Sequence, residues 1–335
     1  MTNATKTLAI IFAGTLALAF ATSWSWSSSS SAAFQEQLLA VETSAVQAVR
    51  IERSDGPSVR LERDGDRWTV APSDGSTHYP ASATAVQDLF RTLPALQVNT
   101  VTTRQTSKHP RYGVDSTGTR ITMLGSGDET LGELILGRTR IQRPQRGQAK
   151  SPMQRMRRRR GTPITYVRRP DRPDVYSVEQ SLRTVTSRSV EDWRDKQIWA
   201  VDRSKIRRVD LTFPGDSSFT LQRAAPSDTA SAAAPDTWLS AGDTLETSKV
   251  SSMLRTLSTP TADGFVSDAS PERFSGARYK VQLQTADGTR RTLRLKPNGE
   301  NYVAAADDFP YIVRLRKSSW DNSVLQGRTA LLKNE

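Results

Sequence analysis

Val86-Gln87-Asp88-Leu89-Phe90-Arg91-Thr92-Leu93 and Val250-Ser251-Ser252-Met253-Leu254-Arg255-Thr256-Leu257 carry one pattern twice, 164 residues apart. In each, the apolar residues stand at i, i+3, i+4 and i+7, one face of a helix at 3.6 residues per turn. An Arg-Thr pair fills the same two steps of both. One amphipathic helix is common. Two in matching surroundings predict an internal duplication.

The surroundings match. Ahead of the first helix come alternating runs at Val49 and Ile51, Val59 and Leu61, and Trp68 and Val70, separated by Asp55-Gly56-Pro57 and Asp64-Gly65-Asp66. Period-two alternation broken by Asp-Gly reads as strands and hairpin turns. Ahead of the second come Val209, Leu211 and Phe213, then Phe219 and Leu221, then Trp238 and Leu239. Beyond the helices, Arg111-Tyr112 is matched to Arg273-Phe274, Ile121 and Met123 to Val281 and Leu283, and Leu134 and Leu136 to Leu293 and Leu295. By residue type, Tyr166-Val167 is then matched to Tyr302-Val303, Tyr176 to Tyr311 and Trp193 to Trp320. The expected fold is α+β: two tandem β-meander/helix/β-meander units, each an antiparallel sheet covered by a helix, because packing helix on sheet buries both apolar faces. Each unit reads as three strands, the helix and four strands. Residues 34–200 form the expected first unit and 201–335 the second.

Residues 1–33 read as a membrane anchor or signal segment with a Ser-rich spacer. Lys6 precedes an apolar run, Leu8–Ala21, and Trp24 and Trp26 follow it. Thr7 to Trp26 spans 20 residues, within the roughly 17–25 that a helix needs to cross a bilayer, with tryptophans at interfacial positions. Ser27–Ser31 and Ala32-Ala33 equally suit signal-peptidase cleavage. A buried core helix is the plain structural alternative. Because Lys6 lies before the run and the next basic residue is Arg50, the body is expected outside the cytoplasm. The expected location is a bacterial inner membrane, single pass, with the body in the periplasm or outside the cell, or the periplasm itself after cleavage.

The net charge of +12 is local. Arg138 to Arg160 holds ten basic residues and no acid, so the remainder carries only +2. The spacing between matched motifs shortens beyond this stretch, which marks 138–162 as a basic insert between two strands of a hairpin in the first unit. Its candidate contacts with an anionic partner are Arg155, Arg157, Arg158, Arg159 and Arg160. Without interleaved aromatics the segment does not read as a nucleobase-stacking platform. Anionic lipid, polysaccharide or an acidic protein face remain as counterparts, against the plain alternative of a solvated loop. A second insertion, Ala224–Pro235, is Ala-, Ser- and Pro-rich and has the composition of a segment that does not fold by itself.

Nothing in the chain spells out catalysis. Cysteine is absent, which removes disulfides, thiolate nucleophiles and Cys-ligated metals. The two histidines, His78 and His109, sit in different loops without a neighbouring ligand. Gly125-Ser126-Gly127-Asp128 leads from strand to strand and reads as a turn, not a phosphate cradle. The adjacent acids Glu191-Asp192 and Asp307-Asp308 point apart. No Gly-x-Ser-x-Gly elbow occurs. The chain is therefore read as not an enzyme, with no catalytic, metal or cofactor residues and no cofactor; converging carboxylates in the fold would revive a hydrolase.

Asp64-Gly65-Asp66-Arg67-Trp68, Tyr79-Pro80-Ala81, Arg111-Tyr112-Gly113-Val114-Asp115, Leu136-Gly137, Val175-Tyr176 and Arg194-Asp195-Lys196 occur in an order that resembles the bacterial family called domain of unknown function 4340, over about residues 50–200. The resemblance implies an anchored, extracytoplasmic protein encoded beside ABC-type transporter components, with no catalytic residues to carry over. The basic insert departs from the family pattern. The motifs themselves read as structural: Asp-Gly presents Trp68 after a tight turn, and Tyr112-Gly113 suits a bend rejoining a sheet.

The functional expectation is a non-catalytic cell-envelope binding or scaffold module, accessory to an ABC-type transport system and in contact with its subunits or other envelope proteins. The alternative is a protein that binds a polyanion or an anionic membrane surface through the Arg-rich insert.

Overall fold

The computed structural model describes residues 38–333 apart from 74, 76, 143–160, 216, 225–236 and 267–270. The expected N-terminal helix and most of both insertions fall outside these. Among the described residues no helix is long and apolar enough to cross a membrane. The chain forms two compact units that divide between Trp193 and Arg194.

The protein is α+β, with two nine-stranded antiparallel sheets and a few short helices among the described residues. In the first unit the strands are β1 (Ala48–Glu52), β2 (Val59–Asp64), β3 (Arg67–Pro72) and β4 (Tyr79–Pro80), followed by helix α1 (Ala83–Thr92) and strand β5 (Val98–Thr103). Helix α2 (His109–Tyr112) leads into β6 (Thr119–Leu124), β7 (Thr130–Gln142), β8 (Thr162–Arg168) and β9 (Val175–Val178), closed by α3 (Arg183–Thr186) and α4 (Val190–Trp193). In the second unit come β10 (Ile206–Thr212), β11 (Ser218–Arg223), β12 (Trp238–Ser240), β13 (Asp243–Thr244), α5 (Thr247–Ser258) and β14 (Gly264–Phe265). After them stand β15 (Tyr279–Thr285), β16 (Arg290–Asn298), β17 (Asn301–Ala306), β18 (Val313–Arg316), α6 (Lys317–Ser323) and α7 (Arg328–Leu331).

Both sheets have one strand order. The first runs β4-β3-β2-β1-β6-β7-β8-β9-β5, and the second β13-β12-β11-β10-β15-β16-β17-β18-β14. Each unit is thus two four-stranded meanders joined along their first strands, with the strand after the helix carried to the far edge. That edge strand departs from the expected three-plus-four count. So does the short strand ahead of each helix. Register agrees as well: Val49 pairs with Leu61 and Met123, Val209 with Leu221 and Leu283. Arg63 faces Trp68 as Arg223 faces Trp238.

Helix and sheet share one core in each unit. The Ser82 hydroxyl caps α1 by accepting from the Ala85 N–H at 3.4 Å. Val86, Leu89 and Leu93 then bury against Val49, Leu61, Ile121 and Leu134. In the second unit Val250, Met253 and Leu257 meet Val209, Leu221, Val281 and Leu293. Each such side chain contributes about 1.5–3 kcal/mol on leaving water.

Three matches made by residue type are corrected by register. Leu136 pairs with Val167, whereas Leu295 pairs with Ala304. Val167 therefore corresponds to Ala304, and Tyr166 to Val303 in place of Tyr302. A one-residue slip in a strand reverses its face: Tyr166 lies in a cluster with Val114, Ile135 and Val175, while Tyr302 lies in the main core of its unit. Tyr176 pairs with Val167 and Val313 with Ala304, so Tyr176 matches Val313, not Tyr311. Trp193 corresponds to Leu331 instead of Trp320: the N-cap residues Ser82 and Glu246 donate to the carbonyls of Trp193 and Leu331, both at 2.8 Å.

Candidate functional site in the basic hairpin of the first unit

Strands β7 and β8 outrun their neighbours. The pairing of β6 with β7 ends at Leu136, and that of β8 with β9 ends at Thr165. Beyond those points Arg140–Gln142 pairs only with Thr162–Ile164, a two-stranded ribbon standing past the sheet. The equivalent hairpin of the second unit closes at Asn298 and Asn301. The ribbon leads to the remainder of the basic insert. Arg155, Arg157, Arg158, Arg159 and Arg160 lie outside the described residues, so the structure places none of the sequence-predicted contacts. It does place Arg138 and Arg140, at the root of the insert.

A bulge sets the direction of the ribbon. The register shifts between Leu136 and Thr139, so Gly137 and Arg138 together oppose Tyr166. Bulges bend a strand and re-aim its side chains, and here Arg140 comes onto the side of Tyr166, its guanidinium carbon 5.5 Å from the ring centroid. Tyr166 also packs against Tyr112 at 4.6 Å between centroids. On the other side, the Thr139 and Thr165 hydroxyls are 2.9 Å apart, and Thr165 donates to the Gln180 carbonyl at 2.6 Å. Ile141, 55% exposed, is the large hydrophobic left in solvent among the described residues.

The segment after α2 braces this root. Gly113 ends α2 with a φ of 65°, a left-handed conformation that suits glycine. Gly137 lies directly beneath it: a Cβ there would sit 2.2 Å from the Tyr112 carbonyl oxygen. The motifs Tyr112-Gly113 and Leu136-Gly137, distant in sequence, are thus one contact. Arg168 holds the same segment, donating from Nε to the Val114 carbonyl at 3.0 Å and from Nη1 to the carbonyls of Arg169, Pro170 and Arg172. Burial and then the Arg120 charge lower its pKa from the usual guanidinium value. His109, buried, donates from Nε2 to the Pro173 carbonyl at 2.9 Å. Asp115 is held below the ordinary carboxylate range by the Thr117 hydroxyl and N–H, and Arg138 acts in the same direction. The sequence placed Arg138 and Arg140 in the basic insert without counting them among its candidate contacts, and it did not single out Ile141; the departure of β7 from its neighbours depends on pairing that composition does not encode.

The other residues considered as chemistry have structural partners. His78 Nδ1 is 3.4 Å from Glu62. Gly125 donates to the Glu129 carbonyl at 2.7 Å, closing the turn between β6 and β7. Asp307 pairs with Arg294 at 3.0 Å and Asp308 with Arg291. Among the described residues no three His, Cys, Asp or Glu side chains converge as a metal site would require. An open cleft of about 360 Å³ lies between Leu38–Val41 and the start of β7. Another, of about 440 Å³, lies over Arg208, Thr220 and Leu239.

Residues 160–277 match the family described as Domain of unknown function (DUF4340). The chain resembles that family. The match runs from the root of the basic hairpin through β14, later than the 50–200 over which the motifs were read, and the two share 160–200 with Val175-Tyr176 and Arg194-Asp195-Lys196. No curated protein and no solved structure matches the chain.

Proposed function

We propose that this protein is a non-catalytic binding or scaffold module of the cell envelope, held at a bacterial inner membrane by its N-terminal segment with the body outside the cytoplasm. The observation that carries this reading is the polar outward side of β2, β10 and β11. Opposite the cores, β2 and β10 present self-paired polar groups: Arg60 with Asp128 at 2.9 Å, and Asp210 with both Arg208 at 2.9 Å and Thr220 at 2.6 Å. Polar, self-paired strand surfaces of this kind suit contact with another macromolecule better than enclosure of a small substrate. The family resemblance adds the accessory role beside an ABC-type transport system. Purification of the full chain from membranes tests both parts. The protein should resist a carbonate wash and bring ABC-type transporter subunits with it. A soluble form beginning at Phe34 would replace the anchor by a cleaved signal, and a membrane-bound protein without such subunits would sink the accessory role.

The ribbon favours a second reading, in which the arginines of the hairpin bind a polyanion or an anionic surface. Charge-reversal Arg138→Glu with Arg140→Glu should weaken such binding, and the parent's affinity should fall steeply with salt, since exposed charges are screened over about 8 Å at physiological ionic strength.

A further inference from the structure

The outward sides of β1, β2, β6 and β7 and of β10, β11, β15 and β16 differ in charge although their registers coincide. In the first unit, Glu52 stands directly opposite Arg120, Glu133 pairs with Arg120, and Glu62 pairs with Arg60. Register gives each of these acids a counterpart in the second unit. Thr212 opposes Lys280 as Glu52 opposes Arg120. Gln222 opposes Arg208 as Glu62 opposes Ala48, and Thr292 opposes Gln282 as Glu133 opposes Thr122. All three carboxylates are thus replaced by uncharged polar side chains.

The cations are not withdrawn with them. Lys280 takes the position of Arg120, and on its other side Arg294 replaces Ile135. Like charges directly opposite each other destabilise a sheet, so the second unit keeps an arrangement that the first shows to be avoidable. Arg294 reaches Asp307 at 3.0 Å and Arg208 reaches Asp210 at 2.9 Å. Lys280 and Arg290, both exposed, make no ion pair among the described residues. Lys296 marks the border of the open area: its Nζ donates to the Ser275 carbonyl at 3.3 Å and lies 5.3 Å from the Phe274 ring centroid.

We infer that the outward side of β10, β11, β15 and β16 is a binding face for an acidic polysaccharide whose sugars carry carboxylates. This gives the binding-module reading a ligand and rests on that reading. One cross-strand row runs Gln222, Arg208, Gln284, Arg290, alternating amide and guanidinium; another runs Thr212, Lys280, Arg294. Guanidinium forks meet carboxylates in bidentate pairs, and the amides and hydroxyl between the charges can donate to and accept from sugar hydroxyls. The same outward side has no exposed large apolar side chain. A protein interface is built around apolar and aromatic groups, and a helix or sheet lying in a membrane surface buries an apolar side. None of these outward side chains is aromatic, so nucleobases find nothing to stack on.

Lysine acetylation read by mass spectrometry locates binding on the full chain in detergent. Polygalacturonate should slow acetylation of Lys280 several-fold, and the protection should fall steeply as salt rises. Lys249, on α5 at the core side of the sheet, should react at an unchanged rate. Thr212→Glu with Gln222→Glu restores carboxylates at positions where the first unit has them. Within that variant the protection of Lys280 should disappear, while the melting temperature should be no lower than the parent's. Arg290→Gln, at an exposed strand end, supplies a second variant should the added acids impair folding, and it should reduce the protection at least threefold. Equal acetylation of Lys280 with and without polygalacturonate would overturn the inference, as would protection that survives both variants. Stronger protection by polyglutamate or by phosphatidylglycerol vesicles would overturn the choice of a polysaccharide. An unprotected Lys280 in a chain that still brings ABC-type transporter subunits with it would strike out the polysaccharide and leave the binding-module reading in place.

Discussion

Trp193 and Leu331 occupy one structural position in the two units, although neither their residue types nor their neighbours in sequence reveal it. Each accepts, at 2.8 Å, the N–H of the residue that opens its unit's long helix, Ser82 in one and Glu246 in the other. The last turn of each unit thereby ties down the start of its central helix. Both side chains are fully buried.

Truncation at either position should loosen that tie. Trp193→Ala should cost about 3–5 kcal/mol and Leu331→Ala about 2–5 kcal/mol. Trp193→Leu, which keeps the residue type found in the other unit, should cost less than Trp193→Ala. Denaturant titration followed by far-ultraviolet circular dichroism measures all three, and an unchanged midpoint for Trp193→Ala would contradict the assignment.

Gly137→Ala should destabilise the first unit by about 1–3 kcal/mol, because the added methyl meets the Tyr112 carbonyl and the core must shift to admit it. A melting temperature equal to that of the parent would mean that α2 does not lie against β7 as described.

Asp287 sets an acid limit on the turn between β15 and β16. Its carboxylate accepts from the Thr285 hydroxyl and from the Thr289 N–H at 3.0 Å, and these bonds lower its pKa to about 2. The unfolded value is near 3.9. With the folded pKa depressed, the stabilisation is complete above the unfolded value and disappears as pH falls toward about 2. The parent and Asp287→Ala should therefore differ in melting temperature at neutral pH and converge in acid. Parallel curves down to the acid limit would show that the carboxylate plays no part.

Removing 143–160 and joining Gln142 to Gly161 by a short turn should leave the body folded, since Gln142 already pairs with Thr162 and loop length alters folding free energy only slowly. Circular dichroism and melting temperature should match those of the parent. A collapsed or aggregated variant would assign the segment to the core.

Much of the architecture was legible in the sequence because the two helices and the inner strands carry strict apolar periodicity: Val49, Leu61, Ile121 and Leu134 all proved to lie in the core. What escaped notice has little periodicity to read. Strands β4 and β13 are two residues each, and β5, Val-Asn-Thr-Val-Thr-Thr, is a threonine-rich edge strand. Residue type also misled. Tyr166 and Tyr302, Tyr176 and Tyr311, and Trp193 and Trp320 look alike, but strand register and the tie between each long helix and its unit's last turn place them at different positions in the two units. Of the candidate site, the sequence showed where the charge lies but not the ribbon that presents it.

The placement of β5 bears on how the chain comes together. Val98 finds its partner in Val178, and Phe265 finds Val313, so in each unit the strand made just after the helix must wait for the last strand before it can pair. A ribosome delivering the N-terminus first produces a first sheet that cannot close until Val178 has emerged, and every shorter nascent chain exposes β5 as an unpaired edge. Non-local closure of this kind slows folding and leaves intermediates prone to association. Each unit should therefore fold late and as a block, and chains truncated between Val98 and Val178 should aggregate in preference to forming half a sheet.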